Sequence, residues 1–154
     1  MFFKKPNLRQ NTDQILALAK IAATGSLVPL MDSAPALEEI LAAATSDDWD
    51  FFATVAAAGA GMFHAYRDHP SLDISLAEKA VGESLAAWDG QATAAYSDYQ
   101  EFVARNVRGG VEYENAVGAW LLWNVKSAEP TARELAAAPA VGRLLCGQMA
   151  GSWD

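Results

Sequence analysis

Cysteine is nearly absent: Cys146 is the only one in 154 residues, so no intrachain disulfide can form and packing alone must hold the fold. A reducing, cytoplasmic setting is the expectation that follows. Positive charge is also scarce, with 11 Lys and Arg against 19 Asp and Glu and a formal net charge of -8. Nucleic-acid binding depends on a basic face that neutralises phosphates, so that partner class is not expected. Histidine occurs twice, at His64 and His69. Five residues apart on a helix, the two point roughly 140° away from each other and cannot converge on one ligand. His-Glu-x-x-His, Glu-x-x-His and Cys-x-x-Cys spacings are all missing, so neither a metal nor a cofactor is expected. A nucleophile elbow and a phosphate-binding glycine loop are missing too.

Long apolar runs are lacking as well. The start, Met1-Phe2-Phe3-Lys4-Lys5-Pro6, has no apolar stretch of secretory-signal length. Phe51 to Phe63 comes closest to a membrane span but falls short of the ~18 residues required. The chain reads as soluble, with no membrane partner.

Apolar helical periodicity is what remains, and no alternating strand pattern competes with it. Asp47 to His69 is apolar on nearly every side, with Ala56-Ala57-Ala58-Gly59-Ala60-Gly61 at its middle. A helix of that kind must be buried on most faces. The expected fold is therefore an all-α single domain over residues 1–154, a bundle of seven or eight helices around a central helix at about 47–68. Residues 1–10 read as an N-terminal arm. Asn11 and Gln14 suggest a capping box for the first helix, which Gly25 would end. Ser33 with Pro35 suggests the start of the second, and Thr45-Ser46 a reset before the long helix. Ser75 with Glu78 and Thr131 with Glu134 suggest further capping boxes. Other helices are expected at about Gln91–Val107 and Glu112–Lys126, with a last one from Pro139 to about Met149.

Two functional readings follow. Residues 31–65 carry Asp32, Glu38, Glu39, Asp47, Asp48 and Asp50 with no Lys or Arg among them. Five tryptophans accompany this acidity, and tryptophan is enriched at binding hot spots. The first reading is a non-enzymatic interaction protein of inhibitor, immunity, adaptor or assembly-chaperone type. Glu38, Glu39, Asp47, Asp48, Trp49 and Asp50 would dock a basic protein partner, with Trp153 as an anchor. A homodimer that covers an apolar patch is a related expectation. The second reading is a small-molecule or hydrolytic pocket between the long helix and Glu112–Lys126. His64 and Asp68, four residues apart, share a helix face, so the carboxylate could orient the ring as a base. Glu112, Tyr113 and Trp120 would line that pocket. A concave site gathering His64 with Glu112 or Tyr113 would favour the second reading over the first.

Overall fold

The computed structural model describes residues 7–43 and 46–153, and every regular element among them is helical. Helix α1 spans Leu8–Ser33, followed by a 3₁₀ turn at Pro35–Leu37 and α2 at Glu38–Ala43. Then come α3 (Ser46–Asp68), α4 (Ile74–Trp88), α5 (Ala92–Arg108), α6 (Tyr113–Lys126), α7 (Ala132–Leu135) and α8 (Ala138–Met149). The all-α bundle is as the periodicity requires.

Helix α3 is the central post. Every residue from Ala53 through Met62 is buried, and α1, α5, α6 and α8 all pack against it. Its small residues admit these neighbours at close range. A Cβ on Gly59 would lie 2.1 Å from the Tyr99 ring, and one on Gly61 would lie 3.0 Å from Met149 Cε and 3.1 Å from Ser152 Oγ. The helix-interior cost of glycine, about 1 kcal/mol relative to alanine, is thus borne where a methyl group would collide.

Helix α1 departs from expectation at both ends. Its capping box is Asn7 with Gln10, one turn before Asn11 and Gln14: the Asn7 side chain accepts from Gln10 N at 2.8 Å and Gln10 Oε1 accepts from Asn7 N at 2.8 Å. Residues 7–10 of the expected arm therefore belong to the cap and first turn, and residues 1–6 lie outside the described set. Gly25 does not end the helix, and Pro29 is accommodated inside it. Tertiary packing overrides both local signals, because Ser26 and Leu30 are buried beyond the glycine. Trp49 pins this second half to α3: its indole N–H donates to Ala23 O at 3.0 Å and to Ser26 Oγ at 3.1 Å. Ser33 is the last residue of α1 rather than a cap, and the expected break at Thr45-Ser46 falls partly outside the described residues.

The uninterrupted α1 is long and apolar enough, by length and composition, to cross a membrane, unlike any segment singled out from sequence. In this fold one face lies on α3, α4 and α8, while Ile21, Val28 and Met31 face outward.

At α4 the cap is Asp73, which accepts from Leu76 N, so Ser75 and Glu78 do not form a box. Glu78 is thereby left for other contacts. Thr131 and Glu134 do form theirs, and Glu134 also takes Lys126 Nζ at 2.5 Å. The lysine bond, followed by the Thr131 backbone N–H, holds the Glu134 carboxyl below its ordinary value of 4.5. A depressed folded-state value stabilises the fold above pH 4.5, and the contribution is lost as pH falls through the lower, folded value. Glu134→Gln should therefore melt below the parent at pH 7, with the gap closing in acid; an equal gap at pH 7 and pH 3 would refute this.

Candidate functional site

Two concavities adjoin between α3 and the helices around it. The first, of about 320 Å³, is built from stripes on two facing helices. Helix α3 supplies Gly59, Met62, Phe63 and Tyr66, and α5 supplies Tyr96, Tyr99, Gln100, Val103 and Val107. Both sets recur at intervals of three and four, so each forms one face of its helix. Glu78 enters from α4 and Tyr113 from α6. The chain has four tyrosines, and all four line this cavity.

Their hydroxyls form two clusters. Glu78 accepts from Tyr66 OH, from Tyr96 OH at 3.1 Å and from Gln100 Nε2 at 2.8 Å. Tyr99 OH lies 2.9 Å from Tyr113 OH, which in turn donates to Gly59 O at 3.4 Å. Tyr113 thus gives its proton to the α3 carbonyl and accepts from Tyr99. Burial is the first cause that raises the pKa of all four phenols, and the Glu78 charge adds to it at Tyr66 and Tyr96. They stay protonated donors throughout the ordinary pH range. The rings are ordered as well as the hydroxyls: Tyr96 stacks on Tyr99 with centroids 6.2 Å apart, and Tyr99 meets Trp120 edge-on at 5.2 Å.

The second concavity, of about 230 Å³, gathers His64 and Arg67 of α3 with Glu112, Tyr113, Glu114 and Cys146. Phe63 and Tyr113 line both spaces and stack at 3.9 Å with 15° between the rings, so the pair is the wall between them. The grouping of His64 with Glu112 and Tyr113 is the one that the second sequence reading required.

No protein-family model, curated protein or solved structure matches this chain, so the geometry carries the functional argument alone.

The expected catalytic pair does not form. Asp68 accepts from Arg67 Nε at 3.1 Å, and it is Arg67 Nη2 that meets His64 Nδ1, at 2.9 Å. With Nδ1 accepting from a guanidinium, the ring proton sits on Nε2, which donates to Cys146 O at 3.0 Å. Both ring nitrogens are occupied. Arg67 stands where the carboxylate was expected because it lies one residue closer to His64, and its longer side chain reaches both groups. The Cys146 thiol is no substitute nucleophile: burial, followed by the Glu114 charge, pushes it up to about 12. Trp120 lines neither space; it is buried, with its indole N–H donating to Asp98 Oδ2 at 2.9 Å. Trp123, on the same helix, is exposed.

The residues expected to dock a partner are divided by the fold. Glu38, Glu39, Asp47 and Asp48 are exposed, and Asp50 is half-buried. Trp49 is fully buried and Trp153 nearly so, which removes both proposed aromatic anchors from the surface. Trp153 docks back into the main core, as Gln14 Nε2 holds the adjacent Ser152 carbonyl at 2.8 Å. Glu38 and Glu39 border a polar groove that also contains Lys126 and Arg133, so this end of the acidic block is of mixed sign.

Tyr113 is legible in the sequence as a site residue, whereas Tyr66, Glu78, Tyr96 and Tyr99 are not. The available signal was Tyr96-x-x-Tyr99-Gln100 on one face of α5, where each tyrosine brings a hydroxyl that a plain core position would not need.

Proposed function

We propose that the chain is a small-molecule-binding helical domain whose site is the tyrosine-lined cavity. The observation that carries this reading is the convergence of all four tyrosines, from α3, α5 and α6, with Glu78 of α4 on one space. A mostly apolar wall with a few placed polar groups is the ordinary make-up of a ligand pocket, and about 320 Å³ lies at the small end of the usual range. A single-ring or short-chain compound fits that size. The inert thiol and the fully engaged imidazole favour binding over hydrolysis at the adjoining space.

Ala104 lines the cavity and is exposed, so Ala104→Trp should fill the mouth without disturbing the core. Single-ring fragments should shift the tyrosine ring resonances of the parent protein. Their affinity should fall at least tenfold in Ala104→Trp, with the melting temperature changed by no more than roughly 2 °C, as for most surface substitutions. Unchanged affinity in that variant, or fragments that perturb other resonances only, would refute the site.

The partner-protein reading rests on exposed carboxylates at Glu38, Glu39, Asp47 and Asp48 without an aromatic anchor among them. It is the weaker of the two, since anchors of that kind usually dominate binding energy.

A further inference from the structure

We propose that the ligand of this cavity is a protonated amine on a small apolar or aromatic body, an inference that rests on the cavity being the binding site. The charge balance of the lining comes first. Glu78 is its one charged residue, and among the described residues no Lys or Arg lines the space. The donors that hold Glu78 are two phenols and a carboxamide, all neutral, and the carboxylate makes no ion pair among the described residues. Hydrogen bonds from neutral donors fix the carboxylate in place but leave its net charge uncompensated.

The acceptor count comes second. A carboxylate offers about four acceptor positions. Oε2 takes Tyr96 and Gln100, whereas Oε1 takes Tyr66 alone, so one position on Oε1 remains for a single N–H. The walls come third. Tyr66 and Tyr96 hold this carboxylate, Tyr99, Tyr113 and Phe63 line the same space, and aromatic ring faces attract cations within about 6 Å. An anion would meet the Glu78 charge with no cation to offset it. A neutral ligand would leave the carboxylate without a counter-charge. The Arg67 guanidinium lines the adjoining space beyond the Phe63–Tyr113 wall and is engaged by His64 and Asp68.

Three probes of equal size separate the possibilities: benzylammonium, benzyl alcohol and benzoate, titrated at pH 7 with tyrosine ring resonances as the readout. Benzylammonium should bind at least tenfold more tightly than benzyl alcohol, and benzoate should not bind measurably. In Glu78→Gln the preference for the cation should shrink to within twofold, with benzyl alcohol still bound. Equal binding of benzylammonium and benzyl alcohol to the parent protein would overturn the amine assignment while leaving the cavity as a binding site. Tighter binding of benzoate would also overturn it. Failure of all three probes to bind would overturn the assignment together with the binding-site reading beneath it. The comparison within the parent protein does not depend on whether Glu78→Gln folds.

Discussion

Gly142→Ala should lower the melting temperature by roughly 10 °C, whereas Gly147→Ala, five residues later on the same helix, should raise it slightly. A Cβ at position 142 would lie 1.7 Å from Glu114 O and 2.6 Å from its carbonyl carbon. The reciprocal contact is at Gly118, where a Cβ would lie 2.0 Å from Ala138 O. Helices α6 and α8 therefore cross backbone to backbone, and neither obstacle is a side chain that can rotate away. The added methyl group forces the helices apart and loosens Val117, Leu121, Val141 and Leu145, all fully buried beside the crossing. Overpacking of this kind costs about 3 kcal/mol at its upper end, which for a domain of this size corresponds to roughly 6–12 °C. Gly147 has nothing within 4 Å of the same methyl position, so alanine there should gain up to about 1 kcal/mol of helix propensity. Thermal unfolding by circular dichroism distinguishes the two. If both variants melted within 2 °C of each other, the close crossing would be refuted.

That crossing was not legible from sequence, although the helices were. Gly118 and Gly142 sit inside otherwise good helical patterns, and a glycine there signals a close neighbour without saying which one. Gly59 and Gly61 were easier, because an apolar run around them already required burial. The same limit explains α1. Gly25 and Pro29 are local stop signals, and only the buried Ser26 and Leu30, held through Trp49 on another helix, explain why the helix continues.

Of the proposed site only Tyr113 was legible, and of the adjoining space rather more, for a related reason. His64, Glu112 and Tyr113 were expected to meet, and they border one space. What failed was the inference from spacing to bonding. His64 and Asp68 share a face, yet Arg67 between them takes both. Glu78 illustrates the opposite error, since its three-residue spacing from Ser75 matched a capping box. With Asp73 as the cap, Glu78 is free to collect Tyr66, Tyr96 and Gln100 from two other helices. Spacing within one helix cannot reveal partners that arrive from elsewhere.

Trp49→Ala should cost about 3–5 kcal/mol, the range for deleting a large buried ring, and should separate stability from surface charge at the start of α3. Trp49 is 0% exposed. Its removal leaves a cavity between α1 and α3 and strips Ala23 O and Ser26 Oγ of a shared donor. Trp49→Phe keeps the six-membered ring but loses the N–H and the volume of the five-membered ring. Ser26 Oγ still donates to Ala23 O at 2.8 Å, so the change should be milder, at about 1–3 kcal/mol for the lost hydrogen bond and the smaller void. Asp47→Lys, two residues earlier and exposed in the first turn, removes a favourable helix-dipole interaction worth about 0.3–1 kcal/mol. Denaturant unfolding of the three variants should therefore rank Trp49→Ala far below Trp49→Phe, with Asp47→Lys nearest the parent. A docking residue would behave differently, with little change in stability on truncation and its whole effect in binding. If Trp49→Ala unfolded within 1 kcal/mol of the parent, the ring would not be the pin between α1 and α3, and an exposed role for it would return. The expected order of stabilities instead assigns the acidic turn to the surface and the tryptophan beside it to the core.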